Sequence, residues 1–347
     1  MSTESIQATV ASLTAKDFAT DQEVRWCPGC GDYSILAQVQ KVMPTIGVPK
    51  ENIVIISGIG CSSRFPYYMN TYGMHSIHGR ATTIASGLKA SRPELSVWIV
   101  AGDGDALSIG GNHTIHMIRR NFDVNFLVFN NQIYGLTKGQ YSPTSEVNKV
   151  TKSTPMGSID HPFNPAALAM GADSSFVARS MDRDPKHLQA ILTRAEKHKG
   201  TSFVEIYQNC NIFNDGAFEI FTEKSTKPLH ALFVEQGKPL VFGANNEFGV
   251  RIDGMRPEVV TLGEKYSADD MWIHDENDFY KAQVLTRLFD NPNEEGAVFP
   301  RPFGVFYAAD RPCYEDMMAL QIEEAIASKG PGDLDKLIRG KEVWEIQ

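Results

Sequence analysis

Two short motifs in the middle of the chain could together hold a metal ion and a diphosphate. Gly102-Asp103-Gly104 follows one apolar run, and Asn130-Asn131 follows the next. Glycines beside Asp103 let the backbone approach phosphate oxygens closely. Mg²⁺ takes about six oxygen ligands, and Asp103, the side chain of Asn131 and the main-chain carbonyl of Ile133 could supply the protein's share. The two motifs predict a site for magnesium and thiamine diphosphate.

The residues that follow the first motif could face the diphosphate. Ser108, Gly110 and Gly111 lie where the next helix is predicted to begin. The first backbone N–H groups of a helix have no partner within it and attract anions. We expect this helix start to lie beside the phosphates.

Four of the five cysteines lie where they could converge. Cys27 and Cys30 share a CxxC turn, and Cys61 and Cys210 each follow an apolar run. Four thiolates suit either Zn²⁺ or an iron–sulfur cluster. The CxxC segment alone also resembles a thioredoxin-like redox motif, but residues 21 to 25 lack the composition of the buried strand that such a fold places before it.

A neighbouring thiamine cofactor favours the cluster, because oxidation on that cofactor needs an electron acceptor. Zinc, redox thiols and buried structural cysteines remain alternatives. Cys313 is left over, and we expect it to be a packed residue.

Apolar runs alternate with segments of helical periodicity as far as residue 207. Such an alternation predicts a parallel sheet covered by helices on both faces, an α/β fold. Ligands of these sheets bind beyond the carboxyl ends of the strands. The predicted strands cover 52 to 57, 95 to 101, 125 to 129, 175 to 179 and 202 to 207, and the predicted helices cover 33 to 43, 80 to 91, 108 to 119, 165 to 171, 185 to 198 and 318 to 328.

The predicted organisation has three parts. Residues 1 to 26 form an N-terminal arm that lies over the fold or reaches a partner, or else a loosely ordered terminus. Residues 27 to 210 form the cofactor-binding domain with the four cysteines. Residues 211 to 347, where the alternation stops, form a C-terminal extension that we expect to shield the cysteines or contact a partner.

Composition excludes several classes of function. The formal charge of −9 disfavours a general attraction to nucleic acid or to an anionic membrane surface. No apolar run approaches the roughly 20 residues that span a bilayer, and the first residues lack the pattern of a secretion signal. We therefore expect a cytoplasmic protein.

Several segments resemble the β subunits of 2-oxoacid:ferredoxin oxidoreductases, most closely those of the 2-oxoglutarate type. The resemblance covers roughly residues 20 to 220. The segments that carry it are Trp26 to Asp32 (WCPGCGD), Gly58 to Arg64 (GIGCSSR), His78-Gly79-Arg80, Gly102 to His113 (GDGDALSIGGNH) and Asn130 to Thr144 (NNQIYGLTKGQYSPT).

The resemblance implies the diphosphate-binding half of a thiamine diphosphate fold, with Mg²⁺ held by Asp103, Asn131 and Ile133. It also implies a [4Fe–4S] cluster on Cys27, Cys30, Cys61 and Cys210. The residues implied to line the cofactor are Ile59, Gly60, Cys61, Ser62, Gly102, Asp103, Gly104, Asp105, Asn131, Gly135 and Leu136. His78 is a further candidate, although a packed histidine is the alternative, and Arg80 could simply cap a helix.

The activity implied is oxidative decarboxylation of a 2-oxo acid with coenzyme A, with electrons passing through the cluster to ferredoxin. Arg64 would pair with a second carboxylate, which favours 2-oxoglutarate, unless it forms a structural salt bridge or a subunit contact. An α subunit would supply the pyrimidine-binding half and its glutamate in an (αβ)₂ assembly. The alternatives are pyruvate or a branched-chain 2-oxo acid as substrate, or a non-oxidative thiamine enzyme subunit with structural zinc.

Overall fold

The protein is built around one twisted sheet. The computed structural model describes residues 13–254, 256–289 and 299–344. The strands within these residues are β1 Ile53–Ser57, β2 Tyr72–His75, β3 Ser96–Gly102, β4 Val124–Asn130, β5 Phe176–Met181, β6 Thr201–Tyr207, β7 Ala231–Phe233, β8 Val241–Phe242, β9 Phe248–Asp253, β10 Arg256–Thr261 and β11 Arg301–Ala308. Eight of them form a sheet in the order β2-β1-β3-β4-β6-β5-β11-β7, and all its pairs are parallel except that of β11 with β5. The other three, β8 to β10, form a small antiparallel sheet.

Helices cover both faces of the large sheet, as the alternation of apolar runs predicts. Side chains of a strand point alternately to opposite faces, so Val97 and Ile99 of β3 pack in one buried layer while Trp98 and Val100 pack in the other. The helices are α1 Asp32–Val42, α2 Phe65–Tyr68, α3 Ala81–Ser91, α4 Gly111–Arg120, α5 Pro165–Gly171, α6 Pro185–Lys197, α7 Glu219–Thr222, α8 Lys227–His230, α9 Phe279–Leu285, α10 Tyr314–Lys329 and α11 Leu334–Arg339.

The carboxyl ends of the central strands lie level with one another. Gly102 at the end of β3 pairs with Phe129 of β4, and Phe129 in turn pairs with Ile206 of β6. The residues that follow these strands therefore emerge at the same edge of the sheet. This register positions the residues of the candidate site.

Three local features differ from the sequence expectations. The segment Asp105–Ile109 forms a wide π-helical turn, closed by the Gly110 N–H bonding to the Asp105 carbonyl, so α4 begins at Gly111 rather than near residue 108. Strand β2 was not expected; it is an edge strand whose four residues are exposed. Strands β7 and β11 come from beyond residue 210 yet join the large sheet.

The described part of the N-terminal segment lies against the domain. Phe18 is fully buried, Trp26 is nearly so, and Ala19 forms a β-bridge with Met69. Residues 1–12 of the expected arm lie outside the described residues. None of the helices within the described ranges is long and apolar enough to cross a bilayer.

Candidate cofactor and thiol site

A cavity of about 520 Å³ opens at the carboxyl ends of β1, β3 and β4. All the residues proposed from the sequence to line the cofactor or to hold magnesium lie on its wall. The wall consists of Ile59, Gly60, Cys61, Ser62, His78, Gly102, Asp103, Gly104, Asp105, Ser108, Ile109, Asn131, Ile133, Tyr134, Gly135, Leu136, Thr137 and Gln140.

Asp103 is one of two buried carboxylates on the wall of this cavity, together with Asp105. Asp103 Oδ2 accepts hydrogen bonds from Ser142 Oγ at 2.5 Å and from Thr144 Oγ1 at 2.6 Å. Burial raises the pKa of Asp103 to about 6, although the two hydroxyl bonds act in the opposite direction. A bound cation would favour the ionised form of a carboxylate so placed. Backbone hydrogen bonds from Asn131 and Gly104 also lower the pKa of this carboxylate, so hydroxyl and backbone donors together hold Asp103 in place.

The second motif forms a tight turn held by its own side chains. Gln132 has a φ of +56°, in the left-handed region, and its N–H donates to Asn130 Oδ1. The N–H of Ile133 donates to Asn131 Oδ1 at 3.1 Å, while Asn131 Nδ2 donates to Gln208 Oε1 at 2.8 Å. These bonds fix the orientation of the Asn131 amide, with its oxygen on the side of Ile133.

A buried ion pair lies behind this turn. Asn130 Nδ2 donates to Glu205 Oε1 at 2.7 Å, and Arg179 Nε donates to the other oxygen of Glu205 at 2.7 Å. Asn130 Oδ1 also lies 2.9 Å from Thr144 Oγ1, which bonds to Asp103. The ion pair therefore fixes the Asn130 side chain, which joins the two motifs.

Close packing explains two of the glycines around the cavity. A Cβ on Gly104 would lie 2.1 Å from the ring of Tyr134, and a Cβ on Gly58 would collide with the Asp105 carboxylate. Asp105 Oδ1 in turn accepts the N–H of Gly79 at 2.8 Å. Asp105 thus ties the loop after β1 to the loop that carries His78.

One side of the cavity is formed by groups that the chain itself leaves uncovered. His78 is exposed, as are Ile109 at 57% and Leu136 at 49%, although all three line the cavity. Arg80 takes the N-cap position of α3 and does not line the cavity. Within the described part of the chain, the cavity wall contains no glutamate.

A second cavity of about 250 Å³ adjoins the first and brings together Cys27, Cys30, Cys61 and Cys210. Cys61, Asn131, Gly135 and Leu136 line both cavities. A Cβ on Gly135 would lie 3.6 Å from the Sγ atoms of both Cys61 and Cys210, so these sulfurs lie within twice that distance of each other.

The loops around the thiols are held from several directions. The Cys30 N–H bonds to the Cys27 carbonyl, which closes the CxxC turn, and Gly29 within it has a φ of +86°. Trp26 Nε1 donates to the Cys61 carbonyl at 2.6 Å, and Asn211 Nδ2 donates to the Pro28 carbonyl at 2.6 Å. These bonds join the three segments that contribute the sulfurs.

The thiol cavity is unfavourable for bare thiolates. Burial raises the pKa of Cys61 to about 11, with the negative groups Asp32, Cys210 and Cys27 adding to the effect. The pKa of Cys30 is also raised, chiefly by burial and then by Asp32. Asp32 is 1% exposed, and burial raises its pKa to about 7 against the opposing effect of a hydrogen bond with the Cys30 side chain. A bound group of positive charge would relieve this arrangement.

The spacing of the thiols bears on the kind of group that fits. A single Zn²⁺ holds its sulfurs about 2.3 Å from the metal. Among the described residues, no group of three or more His, Cys, Asp or Glu side chains could hold a metal ion. The four sulfurs line one cavity, and four thiolates suit either a multinuclear cluster or, if they close on one ion, Zn²⁺.

Arg64 lines the thiol cavity and not the cofactor cavity. Its positive charge lowers the pKa of Cys61, against the larger effect of burial. Cys313, by contrast, is buried at the start of α10 and lines neither cavity. The structure therefore places Arg64 beside the sulfurs and Cys313 away from them.

Three residues that support the site were missed by sequence reasoning. Ser142 and Thr144 belong to a hydroxyl-rich run after the second motif, but nothing in their spacing indicates that they bond to Asp103. Gln208 follows β6 directly, and only the strand register places its side chain between Asn131 and Cys30.

Comparisons with known proteins agree with this geometry. Residues 58–206 match the thiamine pyrophosphate enzyme family, C-terminal TPP binding domain. The chain is 52% identical over 95% of its length to the 2-oxoglutarate oxidoreductase subunit KorB of Mycobacterium tuberculosis, covering 88% of that protein. It is 31% identical to subunit beta of 2-oxoacid:ferredoxin oxidoreductase 2 of Aeropyrum pernix, over 84% of this chain and 96% of that one.

A solved structure is also similar over nearly the whole chain. It is the 2-oxoglutarate:ferredoxin oxidoreductase from Magnetococcus marinus with 2-oxoglutarate, coenzyme A and succinyl-CoA bound, with a TM-score of 0.74, 30% identity, and coverage of 96% of this chain and 97% of that one. The fold, the cavities and the extent of these similarities agree, and the chain belongs to the family of KorB and 2-oxoacid:ferredoxin oxidoreductase β subunits.

Proposed function

We propose that this chain is the thiamine- and cluster-binding subunit of an enzyme that oxidises 2-oxoglutarate with coenzyme A to succinyl-CoA and CO₂. The reaction releases two electrons and one proton, and the electrons pass through a [4Fe–4S] cluster to ferredoxin. One observation carries the proposal: the cofactor cavity and the four-thiol cavity share the wall formed by Cys61, Asn131, Gly135 and Leu136. An oxidation at one cavity can therefore deliver its electrons directly to the other.

In this proposal, Asp103, Asn131 and the carbonyl of Ile133 hold Mg²⁺, which binds the diphosphate of thiamine diphosphate. The cofactor supplies the carbanion chemistry of decarboxylation when it is bound. The chain's own contribution is to orient the metal ligands: Ser142 and Thr144 hold one oxygen of Asp103, and Ile133 and Gln208 hold the Asn131 amide. Asp105 keeps the loops after β1 and β2 in place.

An α subunit completes the site in this proposal. The exposed Ile109 and Leu136 on the cavity wall, and the lack of a wall glutamate in the described residues, support a second chain that covers the pyrimidine end and supplies the acid there. An (αβ)₂ assembly, ferredoxin as acceptor and a cytoplasmic location belong to the same proposal. The reducing cytoplasm suits a site built from free thiols.

The substrate is proposed as 2-oxoglutarate on two grounds. The 52% identical relative is named as a 2-oxoglutarate oxidoreductase subunit, and the similar solved complex contains 2-oxoglutarate and succinyl-CoA. Arg64 offers a guanidinium for the second carboxylate, although it lies on the thiol side of the shared wall. Pyruvate and branched-chain 2-oxo acids are the competing substrates for the test.

The test is an anaerobic preparation of the chain with its co-purifying partner, with iron, sulfide, magnesium and thiamine measured on one sample. We expect four irons per chain, the content of one [4Fe–4S] cluster, and a broad visible absorption. That absorption should bleach only when 2-oxoglutarate and coenzyme A are both added. Bleaching with pyruvate and coenzyme A instead would identify pyruvate, not 2-oxoglutarate, as the substrate.

A colourless sample would contradict the oxidative function. If it contained zinc and thiamine diphosphate, and released CO₂ without acyl-CoA, the subunit would belong to a non-oxidative enzyme. A complex without thiamine would overturn the assignment of the larger cavity.

A further inference from the structure

Gln208 lines the thiol cavity and bonds both to Cys30 and to Asn131, a residue that lines both cavities. Its side chain accepts from Asn131 Nδ2 at 2.8 Å, and its Nε2 donates to Cys30 Sγ at 3.3 Å and to the Asn209 carbonyl at 2.6 Å. Its own N–H donates to the Asn130 carbonyl at 2.9 Å. The residue is 1% exposed, so water does not compete for these bonds.

Backbone groups determine the direction of this chain of bonds. The Asn209 carbonyl can only accept, so the Gln208 atom beside it must be the NH₂ group. The Ile133 N–H can only donate, so the Asn131 atom beside it must be the oxygen. The remaining Gln208 hydrogen therefore points to Cys30, and the Asn131 NH₂ points to Gln208.

The two ends of this chain have different chemical needs. A thiolate sulfur accepts hydrogen bonds and does not donate them, and a magnesium ligand must present an oxygen. In the chain of bonds from Cys30 through Gln208 to Asn131, each amide has a single orientation. In that orientation the Cys30 sulfur receives an N–H group, and the Asn131 oxygen, rather than its NH₂ group, is left for the metal. Reversing either amide would set two donors or two acceptors against each other.

We propose that Gln208 is a positioning residue that couples the magnesium site to the cluster. Its N–H bond to Cys30 raises the reduction potential of the cluster, and its carbonyl holds the Asn131 oxygen toward the metal. This inference rests on the proposed function, since it presumes a cluster on Cys30 and magnesium on Asn131.

Hydrogen bonds to cluster sulfurs are one of the factors that set the potential, because they stabilise the more negative reduced state. Partners of metal ligands typically change metal affinity by about 10- to 100-fold. A single buried amide that serves both sites should therefore change two independent quantities when it is replaced.

Two substitutions separate the two bonds. Gln208→Met keeps the length of the side chain and removes both polar groups. Gln208→Glu keeps an acceptor for Asn131 but removes the donor to Cys30. Gln38→Met is the matched control, because Gln38 is also buried, at 3% exposed, and lines neither cavity.

The measurements are made anaerobically on the complete complex with its partner. The midpoint potential of the cluster is measured by spectroscopic redox titration, and magnesium affinity by thiamine diphosphate binding at increasing Mg²⁺. Neither depends on turnover. Iron content of each variant confirms that the cluster is present.

We expect both Gln208 variants to lower the potential by about 59 mV, the equivalent of a tenfold change for one electron. Gln208→Met should also raise the half-saturating Mg²⁺ concentration about tenfold, whereas Gln208→Glu should keep it near the wild-type value. Gln38→Met should leave both unchanged.

Unchanged potentials in both Gln208 variants would overturn the bond to the cluster. Unchanged magnesium affinity in Gln208→Met would overturn the coupling. It would also be overturned if Gln38→Met changed the midpoint potential and the magnesium affinity as much as Gln208→Met does. If Gln208→Met does not fold, Gln208→Leu takes its place, because leucine also removes the donor to Cys30 without adding the negative charge of glutamate. A wild-type complex without iron would overturn the proposed function itself, a result seen before any variant is made.

Discussion

The two adjoining cavities differ in how firmly the protein alone holds their polar groups. In the cofactor cavity, Asp103 accepts two hydroxyl hydrogen bonds and the Asn131 amide is bonded on both sides. In the thiol cavity, the sulfurs come from three separate segments, and burial raises the pKa of Cys30 and Cys61. The fold alone holds the polar groups of the first site in place, whereas ionised thiols in the second would require a bound group of positive charge.

The difference follows from the fold. The proposed oxygen ligands emerge from neighbouring strands, so strand register fixes their spacing before any ligand binds. Only Cys61 and Cys210 follow strands closely, while Cys27 and Cys30 belong to a turn that precedes α1. Loss of one ligand should therefore affect the two sites unequally.

The largest effect is expected from Cys210→Ser. Removing one of four thiolates should abolish the cluster and the coenzyme A-dependent reduction of a one-electron acceptor, because an oxygen ligand is a poor substitute for a thiolate. Thiamine diphosphate binding should persist, since the oxygen ligands are untouched. Iron analysis, acceptor reduction and thiamine content give the three readings.

Cys313→Ser is the control for this prediction, because Cys313 lines neither cavity. It should retain full iron and activity. A Cys210→Ser complex that keeps four irons would contradict the ligand assignment.

Asp103→Asn should weaken magnesium and thiamine diphosphate binding by more than about 100-fold, since partners of metal ligands alone account for about 10- to 100-fold. The cluster should remain, with its visible absorption intact. Cofactor binding is measured by Mg²⁺ titration of the purified complex. Chelation of magnesium from the wild-type complex should reproduce the loss without loss of iron.

Wild-type cofactor affinity in Asp103→Asn would remove this residue from the magnesium site. Loss of the cluster in the same variant would show that the two sites are less independent than their geometry indicates.

Thr144→Val tests how far the fold prepares the oxygen site. Valine keeps the shape of the side chain but removes the hydroxyl that bonds to Asp103 Oδ2. We expect magnesium affinity to fall about 10-fold with no change in iron content. Thr137→Val is a suitable control, because Thr137 lines the cavity but its hydroxyl bonds to Gln140 instead. Equal losses in the two variants would contradict a specific role for Thr144.

Arg64→Ala should have the smallest effect and sharpen the boundary between the cavities. Loss of a charged hydrogen bond of about 1.5 kcal/mol would raise the KM for 2-oxoglutarate about tenfold and leave that for a monocarboxylic 2-oxo acid unchanged. Steady-state kinetics with both substrates decide. Equal changes for the two substrates would remove Arg64 from substrate recognition and leave it only its effect in the thiol cavity, where its positive charge lowers the pKa of Cys61.

Much of the core fold could be predicted from the sequence. The predicted strands from 52 to 57 and from 202 to 207 match β1 and β6 closely, because buried parallel strands are continuous apolar runs. Edge strand β2 was missed because its four residues are exposed, so no apolar run indicates it. Strands β7 and β11 were missed because irregular segments separate them from the alternating part of the chain.

The candidate site was predicted unevenly for a related reason. Motif residues such as Asp103 and Asn131 follow strands directly, so their meeting at one sheet edge follows from parallel topology. Ser142 and Thr144 reach Asp103 from a long loop, and a loop path cannot be derived from residue spacing. The side on which Arg64 lies was likewise beyond the sequence, because it depends on the short turn after Cys61.

The sequence by itself determined the chemical inventory: an acidic residue and amide at consecutive strand ends, four thiols outside any disulfide framework, and an apolar rhythm that specifies a parallel sheet. Only the tertiary structure decided that the cofactor cavity and the thiol cavity share a wall, and that Gln208 bonds to both Asn131 and Cys30. The physical reason is that periodicity encodes which face of an element is buried, whereas contacts between loops depend on the register of strands far apart in the chain.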